Sequence, residues 1–547
     1  MSDTGEAFWR WLGRGLLAVV VLVAALTASD YGSSWDEKVR ADAGERKLEY
    51  YAHLFSGDWE KAVEVGRKAD NYPGFYDLNL AILRRVSPFS DTLTGHVFSA
   101  FFGVLGIAGA MRLGRSLGGA QVGFWTGTLL AFTPSYYGHM FINPKDIPFA
   151  CAYIWMLWAA LEWLKEGNGL RWRTAFVFGA TLGVALAVRI GGALGLCYLG
   201  LFLAIKGGLG VRREGLGYLV GYVKVHGARL GAALALAAVI LLLYWPAAQF
   251  RPFGQASSTL EKVTQYSWDL PVFFEGAFYA ASDLPFYYII KMLLLKLPLV
   301  FLTFLGIGLA AVAGKLRADL RSNEWTLERW QGLGLTLFAG LSPIAYVIGR
   351  DSTLYNGLRH LLFVVPIAAS LAGWGMVQAR RWLSAQRPAL ERPLLGFAGI
   401  ALALVAFSSV RIHPYQYIYY NELSGGVASA SNTYETDYWG TVYKELAQEL
   451  EALVEGSERI QVNMEHPTWL LSPHVSKEAS KRIRVTRSDP LADDFYIASS
   501  QWAADRYYFG EEIAHVERMG VTLGVIKDRR GLTPEQRVLG YELGNKP

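Results

Sequence analysis

Apolar runs long enough to cross a bilayer recur along this chain, and they restrict its architecture more than any other feature. Each is about 17–23 residues long, and a helix of about 20 residues spans a hydrocarbon core of about 30 Å. Within lipid every backbone N–H and C=O must be satisfied by the protein itself, so runs of this length are helices. About eleven spans fit. They are Leu12–Ala28, Thr92–Met111, Ala120–Ser135, Ile147–Leu164, Thr174–Val188, Gly191–Ile205, Leu230–Gln249, Leu284–Ala313, Leu333–Ile348, Leu358–Val377 and Leu394–Val410. The eighth is long enough to begin as a helix outside the core. Only 18% of the residues are charged, below the quarter or so usual in soluble domains. The first run has no small-residue cleavage site after it and reads as a retained span. Cys151 and Cys197 both fall in apolar runs and read as buried small hydrophobes, not a disulfide.

Basic residues mark one side. Arg10 and Arg14, Arg112 and Arg115, Lys165 to Arg173, Lys206 to Arg229, Lys315 to Arg329, and Arg380 to Arg392 fall in alternate loops. By the positive-inside rule that side is cytoplasmic, with the N-terminus. The formal net charge is +5, and the placement of the charges tells more than their sum. No basic domain is present, so no nucleic-acid partner is expected. The opposite side receives loops 29–91, 136–146, 251–283 and 350–357, together with the segment 411–547. A helical pattern over Tyr443–Leu453 and short β-like runs at Arg459–Val462, Arg482–Val485, Phe495–Ala498 and Val521–Ile526 predict a small extracytoplasmic α/β domain there. The fold class expected is an α-helical polytopic membrane protein, 1–410, carrying that domain at 411–547 in the inner or plasma membrane.

The chemistry-capable residues gather on the outer side. Asp30, Asp36 and Glu37 stand just beyond the first span. A carboxylate there can take a proton from a hydroxyl or bind a divalent cation, or can simply be solvated. Asn143-Pro-Lys145-Asp146-Ile-Pro148 forms a very short turn in which the prolines suit a helix start. Lys145 can hold a phosphate and Asp146 a metal or hydroxyl; a helix cap is the plain alternative. Arg189 interrupts an apolar stretch, which by default marks a functional residue in a membrane protein. Arg359 and His360 open a late helix, and an arginine fork matches phosphate oxygens. Lys291 and Lys296 either line the bundle or pair with an acid. His413 to Glu422 reads as an interfacial aromatic belt. Glu435, Asp437 and Trp439 combine acids with an aromatic ring, as sugar-binding surfaces do. This asymmetry points to an outward-facing site at the membrane surface for something anionic.

Trp35-Asp36-Glu37, Asn143-Pro-Lys-Asp-Ile-Pro-Phe149, Arg359-His360, Tyr417-Ile-Tyr-Tyr-Asn421-Glu-Leu-Ser-Gly-Gly426 and Tyr434-Glu-Thr-Asp-Tyr-Trp-Gly440 together resemble the GT-C superfamily of membrane glycosyltransferases. The branch they resemble is that of bacterial relatives of the dolichyl-phosphate-mannose protein mannosyltransferases. The resemblance covers roughly Leu12 to Gly440. It implies an inverting transfer of a sugar from a polyprenyl-phosphate donor to an acceptor on the outer face. It implies a base at Asp36 or Glu37, with Asp30 as the alternative, and support from Asp146. A divalent cation, Mg or Mn, would sit on Asp36 and Asp146. Lipid phosphate would be held by Arg359, Lys145, Arg189 and His360, and the acceptor or sugar by Asn143, Glu435, Asp437 and Trp439. The His-Pro-Pro pattern of the protein mannosyltransferases is missing; Asp91-Thr-Leu-Thr-Gly-His96 stands near its place. The acceptor therefore stays open between glycan, lipid and protein. Two other classes compete: a lipid-sugar flippase, which should show paired repeats and broken mid-membrane helices, and a non-enzymatic membrane protein whose outer domain binds a partner.

Overall fold

The computed structural model describes residues 3–69, 72–264, 266, 268–454, 459–486, 493–506 and 508–537. Parts of the expected outer loops and of the 411–547 segment lie outside these residues. Among the described residues nine helices are long and apolar enough to cross a membrane. In chain order the first part of the molecule is α1 (Asp3–Thr27), α2 (Trp35–Ser56), α3 (Trp59–Lys68), α4 (Phe75–Val86), α5 (Asp91–Gly118), α6 (Ala120–Ala131), α7 (Pro134–Ile142), α8 (Asp146–Glu166), α9 (Trp172–Val188), α10 (Ala193–Glu214) and α11 (Leu216–Leu243). Short helices α12 (Pro246–Phe250) and α13 (Pro252–Thr264) and a hairpin of β1 (Val272–Phe274) and β2 (Ala277–Tyr279) follow. Then come α14 (Tyr288–Lys296), α15 (Leu299–Arg321), α16 (Leu327–Gly349), α17 (Val365–Gln386) and α18 (Glu391–Arg411). A 3₁₀ turn, Arg359–Val364, leads into α17.

Two of the expected spans are not among the nine. One is α9, apolar but only 17 residues long. The other is divided at Phe132 and Thr133 into α6 and α7, with Pro134 opening the second piece. The outer turn expected at 136–146 accordingly shrinks to three residues, because α7 stays helical to Ile142. The eighth expected span also divides, at Leu297-Pro298: α14 precedes it and α15 crosses. Proline lacks the N–H that would continue the ladder. Lys224 and Arg229, read as loop residues, lie inside α11, which begins 14 residues before the predicted Leu230.

The first outer segment is mostly helical. The Ser34-x-x-Glu37 capping box starts α2: the Glu37 carboxylate accepts the Ser34 N–H at 3.0 Å. Gly44 lets α2 and α4 touch, since a Cβ there would lie 2.2 Å from the Asp77 carbonyl. Beyond α18 the chain makes α19 (Gly426–Ala430) and α20 (Tyr443–Val454), then β3 (Ile460–Met464), α21 (Lys477–Ser480), β4 (Ile483–Thr486), β5 (Phe495–Ser499), β6 (Glu511–Arg518) and β7 (Val521–Asp528). The sheet order is β4-β3-β5-β7-β6, parallel from β4 to β5 and antiparallel beyond. Four of these strands match the predicted runs. The fifth, β6, has no alternating apolar pattern because it is a mostly exposed edge rich in Glu and Arg.

Tyr415, Tyr417, Tyr419 and Tyr420, read as an interfacial belt, are instead buried at 3% exposure or less in the continuous core. Their rings fill the seam where the C-terminal segment meets α7 and α14. Cys151 is buried, but Cys197, expected inside, lies on the outward face of α10; both are free thiols.

Candidate active site

Four segments distant in sequence converge at the end of the bundle that carries α2 and the C-terminal sheet. The first supplies Asp36, in the opening turn of α2. Its position is fixed by the capping box and by Ser34, whose hydroxyl donates to the Ile142 carbonyl at 2.6 Å. The second is the turn Asn143-Pro144-Lys145. Asn143 accepts the Asp146 N–H at 2.8 Å and the Lys145 N–H at 3.3 Å, which caps α8 and fixes its own amide orientation. The third is Arg189, held extended between α9 and α10. The fourth is Arg359, which follows a left-handed pair, Asn356 (φ 57°) and Gly357 (φ 68°).

Arg359 bridges two carboxylates. One nitrogen of its terminal pair lies 2.8 Å from Asp36 Oδ2, and its Nε lies 3.3 Å from Asp146 Oδ2. The guanidinium also stacks 4.4 Å above the buried Trp439 ring. The other Asp146 oxygen binds Arg189, and the Asn143 amide donates to Oδ2 at 2.9 Å. Asp146 is therefore enclosed, its side chain 3% exposed, with both oxygens held by cationic or amide partners. Asp36 keeps 27% exposure beside Arg359, so of the two carboxylates it is the one open to solvent.

Lys145 stands beside this cluster, its ammonium 4.7 Å over the Tyr72 ring. Burial, then the neighbouring Arg189 and Arg40, push its pKa down to about 7. From that turn α8 runs along an apolar cavity of about 740 Å³. Its walls include Phe75, Leu83, Phe102, Cys151, Trp155 and Val184. Ile82, Val86 and Phe101 on its rim are exposed, so the cavity opens sideways toward lipid.

The remaining candidates divide. Glu37 is spent on its cap and faces His96 at 3.4 Å. Asp30 pairs with His413 at 2.9 Å and is not brought to Arg359. His360 packs edge-on against Tyr355, which lies under the Arg359 guanidinium. Asp437 accepts the N–H groups of Gly440, Thr441 and Val442 at 3.0–3.3 Å and the Tyr417 hydroxyl, which ties down the start of α20. Burial raises its pKa to about 6. Glu435 takes backbone N–H groups of Phe273 and Asn356, and burial raises its pKa to about 8. It thus braces the turn that presents Arg359. Lys291 pairs with Glu275; Lys296 is buried, 3.6 Å over the Tyr420 ring, and donates to the Tyr417 carbonyl.

Among the described residues no three His, Cys, Asp or Glu side chains gather. Asp36 and Asp146 face a guanidinium that already supplies the positive charge between them. Sequence reading missed Arg40, His139, Tyr438 and His474. Tyr438 lies in the Tyr434–Gly440 segment and His139 in loop 136–146, but only their long-range pairing distinguishes them. His474 accepts the Ser33 N–H at 3.0 Å and joins the C-terminal segment to the loop before α2.

No family model matches the sequence, and no curated protein matches it. Solved structures give likenesses of fold. ArnT from Cupriavidus metallidurans in the apo state is 13% identical with a TM-score of 0.49, covering 96% of this chain and 98% of that one. The same protein bound to undecaprenyl phosphate is 14% identical with a TM-score of 0.46 over the same shares. The archaeal oligosaccharyltransferase AglB from Archaeoglobus fulgidus is 12% identical with a TM-score of 0.46, covering 95% of this chain and 75% of that one.

Proposed function

We propose that this chain is a GT-C-type glycosyltransferase that moves a sugar from a polyprenyl-phosphate donor to a hydroxyl acceptor at the outer membrane face. The observation that carries the reading is a juxtaposition: an apolar cavity is walled by α8 and α9, the same helices whose ends carry Lys145, Asp146 and Arg189, and an accessible carboxylate, Asp36, stands within that cluster. An isoprenoid tail fits the cavity between α4, α5, α8 and α9. Its phosphodiester anion then meets Lys145 and Arg189. Asp36 lies across from it, oriented by Arg359.

The reaction follows from those positions. Asp36 takes the proton of the acceptor hydroxyl as its oxygen attacks C1 of the sugar. The C1–O bond to phosphate breaks, and the bonding pair leaves with the lipid phosphate. Lys145, Arg189 and Arg359 stabilise the charge that develops there. A single displacement inverts the configuration at C1. Asp146, between the two guanidiniums, keeps Arg189 and Arg359 at fixed spacing.

The test is purified protein assayed against a panel of polyprenyl-phosphate sugars, reading both transfer and slow donor hydrolysis. The wild type should release lipid phosphate, and Asp36→Asn should lose about 10²- to 10⁴-fold, the usual worth of a general base. A folded wild type that releases none from any donor rejects the reading.

A further inference from the structure

Asp146 connects to the C-terminal segment through a chain of buried polar side chains. The Asn143 side-chain nitrogen donates to Asp146 Oδ2 at 2.9 Å and lies 3.1 Å from His139 Nδ1. His139 Nε2 lies 3.1 Å from the Tyr438 hydroxyl. Asn143, His139 and Tyr438 are each 1% exposed or less.

The protonation pattern of this chain can be assigned from its geometry. The Asn143 oxygen is the atom that accepts the Lys145 and Asp146 N–H groups. The other end is therefore NH₂, which donates and has no acceptor capacity. His139 Nδ1 must then accept, so the imidazole is neutral with its proton on Nε2, directed at the Tyr438 oxygen. An imidazolium would set N–H against NH₂ at 3.1 Å.

We propose that Tyr438, His139 and Asn143 act as positioning residues that hold Asp146, and through it the Arg189 and Arg359 guanidiniums, in register with Asp36. None of the three need touch substrate. The α7 helix presents His139 and Asn143 one turn apart, so both face the same side. Tyr438 enters from the segment between α19 and α20, where the neighbouring Trp439 ring lies under Arg359. The C-terminal segment thereby sets both the carboxylate and its guanidinium partner. This role rests on the transferase reading above.

Three variants and one spectrum test it. In donor turnover, His139→Leu should lower kcat/KM about tenfold or more, because displacing groups from their working geometry costs rate steeply. His139→Asn, which can restore an acceptor near Nδ1, should recover most of that loss. Tyr438→Phe removes one oxygen only and should lower kcat about threefold to tenfold. If His139→Asn is no better than His139→Leu, the relay is wrong. The ¹⁵N spectrum of histidine-labelled protein supplies a readout independent of turnover. One imidazole, missing from His139→Asn, should stay neutral and Nε2-protonated across the ordinary histidine titration range. A protonated or Nδ1–H form there overturns the relay. Absence of donor turnover by the wild type overturns the transferase reading alone, and the spectrum still decides the relay.

Discussion

Asp36 and Glu37 are adjacent in sequence, yet a helix places neighbouring side chains about 100° apart, and here that rotation separates two jobs. Glu37 turns back to the Ser34 amide; Asp36 turns to Arg359. Glu37→Gln should accordingly keep most activity, because glutamine also serves a capping box. Asp36→Asn should lose it. Equal losses in the two variants would mean that both acids take part in proton transfer. Lys145 gives a pH signature. Its lowered pKa makes it a cation below about 7 and neutral above, whereas a phosphodiester stays anionic throughout. Donor capture, read as kcat/KM, should therefore fall as pH rises through about 7. Lys145→Arg should move that limb out of range, since arginine stays charged. An unchanged profile in Lys145→Arg removes this lysine from donor binding.

At the scale of elements, the sequence shows what is periodic or punctuated and little else. The apolar runs mark the spanning helices, Pro144 and Pro148 mark the start of α8, and the β-rich runs mark four of five strands. Amphipathic α3 and α4, with scattered charge, are hidden because neither is apolar enough to stand out. The placing of α2 depends on a contact that no local pattern announces. Loop 29–34 is gripped by the C-terminal segment: Tyr31 donates to Gln416 at 2.8 Å, His474 accepts from Ser33, and Lys444 donates to the Ser29 carbonyl. Gly32 permits the grip, since a Cβ there would fall 2.1 Å from the Thr441 carbonyl oxygen. Gly32→Ala should destabilise by about 1–3 kcal/mol, as overpacking does. It should also lower kcat by shifting the first turn of α2. Thermal unfolding in detergent and donor turnover check the two effects. A variant with wild-type values in both would show that the loop yields without moving Asp36.

For the whole molecule, the candidate site was legible as a set of residues on one side of the membrane, but not as a geometry. Asp36, Asp146, Arg189 and Arg359 could each be singled out as a charge near hydrocarbon. That Arg359 bridges two of the others, while Asp30 pairs with His413 instead, follows only from how the helices and the C-terminal sheet pack. The apolar cavity is equally invisible in sequence, because its walls come from α4, α5, α8 and α9 and resemble any other core residues. It therefore gives the most independent test of the donor class. Ala180 lines the cavity from the middle of α9, nine residues before Arg189. Ala180→Trp should fill much of it while leaving the cluster intact. If the cavity takes an isoprenoid tail, KM for an undecaprenyl-phosphate donor should rise about tenfold, a loss of about 1.4 kcal/mol of binding. KM for a donor with a tail of two or three isoprene units should barely change, since most of that tail ends before the filled region. An equal rise for long and short donors would place the tail elsewhere. The cationic cluster would then be the whole of donor recognition.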